Sequence, residues 1–349
     1  MKVMRCLKFS LELARFPKRQ KLEELWIVYQ KAVTDFLDRL FNRQDLSEDY
    51  IKNYQSLLSY AYKQCAKRQA FKIFKCWCRN KKKGKKPKLK NSMTLDYRFV
   101  ELQKSKSKTF DYWVKIATLE KRKPILIPIK SYDYANQYFK DWELIKGGRL
   151  WKRNDKLFII FTFQKEILLK NINKTIGIDI GYRKLLVTSE GKIVGERIKS
   201  LTEKAIKKEQ GSKASKRVRN EIENYIGSCV KQVVDGNANI VLENLKNLKK
   251  NKCGKWSREV NRKFNFWLYG LVLKRLLNRA ETLGVRSYLV EPQYTSQICP
   301  VCGYISELNR KGELFKCQLC QFSADADYVG SLNILQRFTH QPTVGVVSS

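Results

Sequence analysis

Histidine is nearly absent from this sequence: His340, close to the C-terminal end, is its single copy in 349 residues. Chemistry built on a Ser-His-Asp triad or on a histidine-rich metal centre is therefore disfavoured. Acidic residues are short as well, 33 Asp and Glu against 71 Lys and Arg, which gives a formal charge of +38. A chain with that field repels itself, and a polyanionic partner is the usual reason to keep it. No apolar run approaches the roughly 18 residues a membrane helix needs. The opening MKVMRCLKFSLELARF has no signal-peptide core. These absences place the chain in the cytoplasm, where ten cysteines are metal ligands or small buried groups rather than disulfides. With 43% apolar and 12% aromatic residues the chain can bury a sizeable core, which excludes wholesale disorder.

The opening KVMRCLKFSLEL alternates as a strand does. From Lys18 the apolar residues Leu22, Leu25, Tyr29, Val33, Phe36, Leu37 and Leu40 recur at three- and four-residue steps, an amphipathic helix. A second helical stretch is expected after Ser47, with Ile51, Tyr54, Leu58, Tyr62 and Cys65 on one face, running into FKIFKCWCRN. Next comes KKKGKKPKLK, with seven lysines in ten residues (Lys81, Lys82, Lys83, Lys85, Lys86, Lys88 and Lys90), read as an exposed loop and a candidate nucleic-acid contact. The runs TLDYRFVELQ, FDYWVKIATLE, PILIPIKS, YFKDWELIKGG and KLFIIFTFQKE then read as short strands of a small barrel or sandwich. Residues 1–170 are thus a β-domain with a helical insertion at about 18–80. Beyond Asn171 the pattern becomes strand-helix alternation. TIGIDIGYRKLLVTSEGKIVGERI gives two or three strands, residues 201–234 a long basic helix, NIVLENL a buried strand, residues 264–283 another helix, and VRSYLVEP a last strand.

Two constellations carry chemistry. Asp179 sits in the apolar strand IGIDIGYRKLL, Glu243 ends NIVLENL, and Asp327 stands in SADADYVGSLNIL where a helix begins. Each has an ordinary reading alone, an N-cap for Asp327 and a solvent-reaching strand end for Glu243. Three acids at the ends of three core elements point instead to hard divalent cations such as Mg²⁺. Two such ions about 4 Å apart serve phosphoryl transfer without histidine. The second constellation is CPVC (Cys299, Cys302) followed after fourteen residues by CQLC (Cys317, Cys320). That spacing matches a four-cysteine Zn²⁺ ribbon of structural type, since four thiolates leave no open position. Cys76 and Cys78 have no partner pair and are read as packing or surface residues.

GIDIGYRKLL, IVLENL, and YTSQICPVCG followed by FKCQLCQFSADADYVGSLNI resemble, in order, the three segments of a split RuvC nuclease. The last is interrupted by a zinc ribbon, as in the TnpB family of insertion-sequence proteins related to type V CRISPR effectors. The resemblance spans residues 171–337. It implies an α/β RuvC (RNase H-like) domain with RuvC segments I and II in 171–298, the ribbon in 299–320, segment III in 321–337 and a tail in 338–349. The N-terminal half is more loosely similar to a β-barrel wedge domain carrying a helical recognition insertion. Carried over residue by residue, the resemblance puts the catalytic acids at Asp179, Glu243 and Asp327 and zinc on the four ribbon cysteines. The flank of the last acid departs from the family, which often has Arg before it and Asn-Ala-Ala after it. Here Ala326 precedes and Val329, Gly330 and Ser331 follow. Asp325 is the competing acid nearby, and the distance to the SLNI helix favours Asp327.

The resemblance implies a transposon-encoded, RNA-guided DNA endonuclease with one Mg²⁺-dependent centre. Its partners would be a guide RNA and a DNA duplex bearing a short flanking motif; a homodimer stays open, and DNA would tie the cytoplasmic chain to the nucleoid. Base pairing would read the target while lysines hold backbones. Tyr60, Tyr62, Phe71, Phe74 and Trp77 among lysines are either stacking platforms for bases or a helical core under snorkelling lysines. The alternatives are a compact type V CRISPR effector, a guided DNA-binding repressor with little cleavage, and a zinc-ribbon RNA-binding protein on a degenerate nuclease fold.

Overall fold

The computed structural model describes residues 1–79, 86, 87, 89, 91–245 and 268–340. The chain divides into two compact units, Lys2–Glu166 and Ile167–Ser349 with Met1. Among the described residues no helix is long and apolar enough to cross a membrane.

In the first unit β1 (Lys2–Ser10) turns Val3, Leu7 and Phe9 inward, the period-2 alternation of a half-buried strand. Helix α1 (Phe16–Phe41) follows, with proline in its first turn and a buried stripe through Leu22, Leu25, Tyr29, Val33 and Phe36. The expected single helix after Ser47 is two: α2 (Glu48–Asn53) and α3 (Tyr60–Cys78). Side-chain capping explains the break. The Ser47 hydroxyl accepts from the Tyr50 amide and the Ser59 hydroxyl from the Tyr62 amide, so each serine starts its own helix. Strands β2 (Ser92–Leu95), β3 (Val100–Lys104), β4 (Tyr112–Ile116) and β5 (Ile125–Ile129) come next. The YFKD part of the expected strand YFKDWELIKGG lies instead in helix α4 (Asp133–Asp141). There Ala135 and Tyr138 are buried at a three-residue step, a helical rather than an alternating period. Strands β6 (Glu143–Leu144), β7 (Gly148–Arg153) and β8 (Lys156–Glu166) complete the unit. One antiparallel sheet runs β1-β8-β7-β2 with β6 also on β8, and a second runs β3-β4-β5. Among the described residues ladder hydrogen bonds keep these as two sheets rather than closing one barrel.

The second unit begins with β9 (Thr175–Asp179), β10 (Leu186–Thr188) and β11 (Ile193–Val194). The expected long basic helix is broken into α5 (Ile198–Ile206) and α6 (Lys213–Val233). Gly211 takes φ +93° between them, and Ser212 caps α6 by accepting from the Ser215 amide. Then come β12 (Asn239–Glu243), α7 (Tyr269–Leu283) and β13 (Ser287–Val290). Phe264 and Phe266, expected at the start of the α7 helix, lie outside the described residues. The sheet order is β11-β10-β9-β12-β13, with β9, β12 and β13 parallel. A small three-stranded sheet follows, β14 (Arg310–Lys311), β15 (Leu314–Lys316) and β16 (Ser323–Asp325), and the last described helix is α8 (Ala326–His340).

Both faces of the five-stranded sheet are covered, as parallel strands require. Ile176, Ile178, Ile240 and Leu242 join a core with Ile222, Ile226, Val272 and Leu276 from α6 and α7. On the other face Val241 and Val290 meet Ile334 of α8. Helix α8 lies so close to β9 that a Cβ at Gly177 would sit 2.2 Å from the Ser331 carbonyl oxygen and 2.9 Å from the Leu335 amide. Backbone stands on both sides of that gap, so neither wall can swing away. Gly177→Ala should therefore destabilise the unit by about 1–3 kcal/mol or more, as overpacked cores are, read as a lowered urea midpoint. A midpoint equal to the parent's would show that β9 and α8 are not in this contact.

Candidate functional site

The parallel register sets Leu242 opposite Ile178. Asp179 and Glu243, one residue further along, therefore end neighbouring strands at the sheet's carboxyl edge, where open α/β sheets place their ligands. Asp327 enters from the first turn of α8. The turn after β9 brings it close, since a Cβ on Gly181 would lie 3.7 Å from the Asp327 Oδ2. Gly330, one helical turn on, would place its Cβ 3.3 Å from the Asp179 Oδ2. The flank Val329-Gly330-Ser331 thus has a local reason: Gly330 leaves room for the Asp179 carboxylate, while Val329 and Ser331 are fully buried.

Crowded carboxylates pay for their proximity. Asp179 keeps a partly exposed edge, yet burial of its carboxyl first, and the charges of Glu243 and Asp327 next, push its pKa from 3.8 to about 8. Burial also raises Glu243, opposed by a hydrogen bond from Thr295 and by the charges of Arg337 and Arg310.

Four side chains that sequence patterns did not single out hold this edge together. The Thr295 hydroxyl, from the YTSQ run, donates to the Glu243 Oε1. Asn333, a polar residue in the apolar run SLNIL, is buried and donates from its Nδ2 to the Thr295 and Ile298 carbonyls at 2.8 Å each. The Tyr269 hydroxyl of α7 donates to the Glu243 carbonyl and accepts from the Leu245 amide at 3.2 Å. Arg310, at the start of β14, donates to the Asp327 Oδ1 at 2.9 Å. Asp325 is a support as well: its Oδ1 accepts from the Asp327 and Tyr328 amides at 3.1 Å each, and its Oδ2 pairs with Lys184. The N-cap role considered for Asp327 therefore belongs to Asp325.

The ribbon cysteines gather as one group. The Sγ atoms of Cys299, Cys302, Cys317 and Cys320 all lie within 4.8 Å of one another, so the four could hold a single ion such as a structural zinc. Cys299 and Cys317 are buried, Cys302 and Cys320 exposed. Burial raises the Cys317 thiol, but the amide N–H groups of Cys320 and Leu319, whose nitrogens each lie 3.4 Å from its Sγ, draw it down to about 6 and so favour the thiolate a metal binds. A small core of Cys299, Phe315 and Cys317 continues onto Ala326 and Val329 of α8. The ribbon and the helix carrying Asp327 are packed as one piece.

The three acids are looser than the thiols. Among the described residues the cysteines are the group of ligand-bearing side chains close enough to hold one ion, while Arg310 bonds Asp327 and its charge also bears on Asp179 and Glu243. Three carboxylates without histidine or thiol are the donor set that suits a hard divalent cation. Of the lysine tract, Lys86 is described, and its Nζ lies 3.3 Å from the Asp38 Oδ1; Lys81, Lys82, Lys83, Lys85, Lys88 and Lys90 lie outside the described residues. Of the aromatics, Tyr62 is core, stacked on Phe99 at 3.6 Å, and Trp77 packs 4.9 Å from Phe41, whereas Tyr60 and Phe71 are exposed.

A sequence model of the Cas12f1-like TNB domain matches residues 269–334. The CRISPR-associated endodeoxyribonuclease Cas12f1 of Sulfoacidibacillus thermotolerans is 34% identical over 104 residues, 29% of this chain and 22% of that one. The match thus spans about a fifth of that relative's length. TnpB-like protein MJ0751 of Methanocaldococcus jannaschii is 26% identical over 256 residues, 64% of this chain and 90% of that one. Among solved structures, the Cas12f1 chain of a complex with sgRNA and target DNA shares the fold, with a TM-score of 0.57 and 14% identity over 94% of this chain and 82% of that one.

The raised pKa has two consequences in the metal-free chain. A carboxyl that titrates near 8 folded and near 3.8 unfolded makes the folded state hold the extra proton across that window. Stability therefore falls as pH rises from about 4 to 8. A divalent cation needs the carboxylate, so Mn²⁺ affinity, measured by calorimetry, should climb with pH up to about 8, with proton release, and then level off. In Asp179→Asn the climb should shrink to the part that the Glu243 carboxyl supplies. A flat profile in the parent would place Asp179 outside the cation site.

Proposed function

We propose that the chain is a member of the TnpB family and an RNA-guided DNA endonuclease encoded by a transposon, cutting DNA at one Mg²⁺-dependent RuvC centre. The observation that carries this reading is the convergence of Asp179, Glu243 and Asp327 from three distant segments onto one sheet edge. We assign these three as the catalytic acids and Mg²⁺ ligands, in segments within 171–298 and 321–337. Cys299, Cys302, Cys317 and Cys320 hold structural Zn²⁺ in the ribbon of 299–320. Residues 1–170 serve as the wedge and recognition part that holds guide RNA and the target duplex with its flanking motif.

Mg²⁺, when bound, supplies charge stabilisation for the oxygens of a phosphodiester under attack by water. The chain's own residues prepare the place for it. Asp179 gives up its proton and Glu243 is aimed by Thr295 and Tyr269. Asp327 is fixed by the Asp325 cap and balanced by Arg310, whose guanidinium also offsets charge from the other two acids. The charge of +38 draws nucleic acid by counterion release, independent of sequence. Sequence reading passes to base pairing.

The test pairs guided plasmid cleavage in Mg²⁺ with gel shifts using the RNA that co-purifies with the chain. Asp179→Ala and Glu243→Gln should each abolish cutting of both strands, about 10²-fold or more for loss of one electrostatic stabiliser. Guided binding should persist, because the basic surface is untouched. A variant that still cuts one strand at the parental rate would contradict a single centre. Co-purification of a random RNA mixture would contradict guidance.

A further inference from the structure

The sheet formed by β1, β8, β7 and β2 has one face in the core, through Phe9, Ile159, Leu150 and Met93. The register assigns the opposite face. Ser10, Phe158, Trp151 and Ser92 form one row across the four strands, and Lys8, Ile160, Arg149 and Thr94 form the next. Trp151 and Phe158 are half-buried on this outer face with ring centroids 5.4 Å apart, and Lys8 and Arg149 are exposed. The Lys8 ammonium lies 5.0 Å from the Trp151 ring centre and 4.8 Å from that of Phe158. A groove of about 460 Å³ opens beside the rings, lined in part by Trp151, Ile160, Arg149 and Ser92. Arg149 also lines an adjoining groove of about 470 Å³ with Arg68, Lys72 and Lys146. The carboxylate in that second groove, Asp96, is already held by Arg68 and Arg98.

We propose that this outer sheet face is a binding site for unpaired nucleotides, with bases stacking on Trp151 and Phe158 while Lys8 and Arg149 take the flanking phosphates. Flat rings on an open sheet, set beside cations, are the arrangement that stacks single-stranded bases without reading their sequence. A duplex keeps its bases inside and offers the rings nothing, so the site selects single strands. In the free chain Lys8 covers the rings by cation–π contact. A stacking base displaces the ammonium onto the adjoining phosphate, where its charge is better used. The two adjoining grooves, joined at Arg149, give the strand a path past Trp151, and their excess of cations matches a phosphate backbone. Naming an RNA as the source of these nucleotides rests on the guided-nuclease reading. The test uses bare oligonucleotides and no cutting, so the two readings fail separately.

The experiment measures binding of the full chain to RNA homopolymers, the matching DNA homopolymers and a blunt DNA duplex, across a salt series. The double variant Trp151→Ala/Phe158→Ala should bind single strands roughly tenfold or more weakly, with an unchanged salt slope and unchanged duplex affinity. Arg149→Ala should instead lower the salt slope by about one. Trp151→Tyr, which keeps an aromatic ring, should restore most of the affinity. Thiouridine-bearing RNA and thiothymidine-bearing DNA, crosslinked by near-ultraviolet light, should label peptides spanning residues 149–160 in the parent chain. Stronger labelling by RNA assigns the site to the guide, and equal labelling by both assigns it to single strands of either kind. Parental affinity in the double-alanine variant overturns the proposal, as does an equal loss for duplex and single strand. If that variant does not fold, absence of crosslinks in 149–160 of the parent overturns it.

Discussion

Burial of the Asp179 carboxyl, beside the charges of Glu243 and Asp327, is the constraint around which the second unit is built. Carboxyls at the desolvated end of a sheet move apart or stay protonated, and burial first, with the neighbouring charges next, pushes Asp179 up to about 8. The fold answers it with rigid backbone. β9 and β12 are neighbours in a parallel ladder, so the first two acids cannot separate without breaking sheet hydrogen bonds. The third is pressed toward them by α8, whose backbone rests on Gly177 with no side chain between. Arg310 then places a positive charge on the Asp327 carboxylate.

The ribbon has a mechanical meaning in this setting. Its core residues Phe315 and Cys317 share a cluster with Ala326 and Val329, and Asp325, the last residue of its third strand, caps the helix that presents Asp327. Lys184, from the turn that follows Asp179, pairs with the same Asp325. The acid centre is thus clamped from two directions, and two of the four ribbon cysteines, Cys299 and Cys317, belong to the cluster packed on that helix. Arg310, the group that balances Asp327, is carried by the same ribbon.

Much of this was legible because charge inside an apolar strand is expensive and therefore conspicuous: Asp179 in IGIDIG and Glu243 in IVLENL needed no structure to be noticed. Paired CxxC knuckles are equally plain, since their spacing is set by one ion's geometry. What stayed hidden acts through space rather than along the chain. Arg310 sits in NRKGELF with no periodicity to mark it, and its role exists only once the ribbon folds back on α8. Asn333 did leave a trace, a polar residue on the inward face of an apolar helix, and its two carbonyl acceptors explain it. In the first unit, serine caps split one expected helix into two, and the α4 segment read as a strand because its aromatics are dense enough to satisfy either period. Of the aromatics left open between stacking platforms and core, Tyr62 is core, while Trp151 and Phe158 sat unremarked in strands whose alternation already turned them outward.

The central claim is that a metal ion on the four ribbon cysteines would hold the acid centre in shape through the core shared with α8. It is tested most directly by paramagnetic titration of Mn²⁺ into the zinc-loaded chain and into Cys302→Ser, with circular dichroism to show that the main sheet remains folded. Loss of the ribbon ion should weaken Mn²⁺ binding about tenfold or more, the scale on which displaced supporting groups act on a metal site. Equal Mn²⁺ affinity in the two proteins, with the ribbon of the variant empty of zinc, would contradict it.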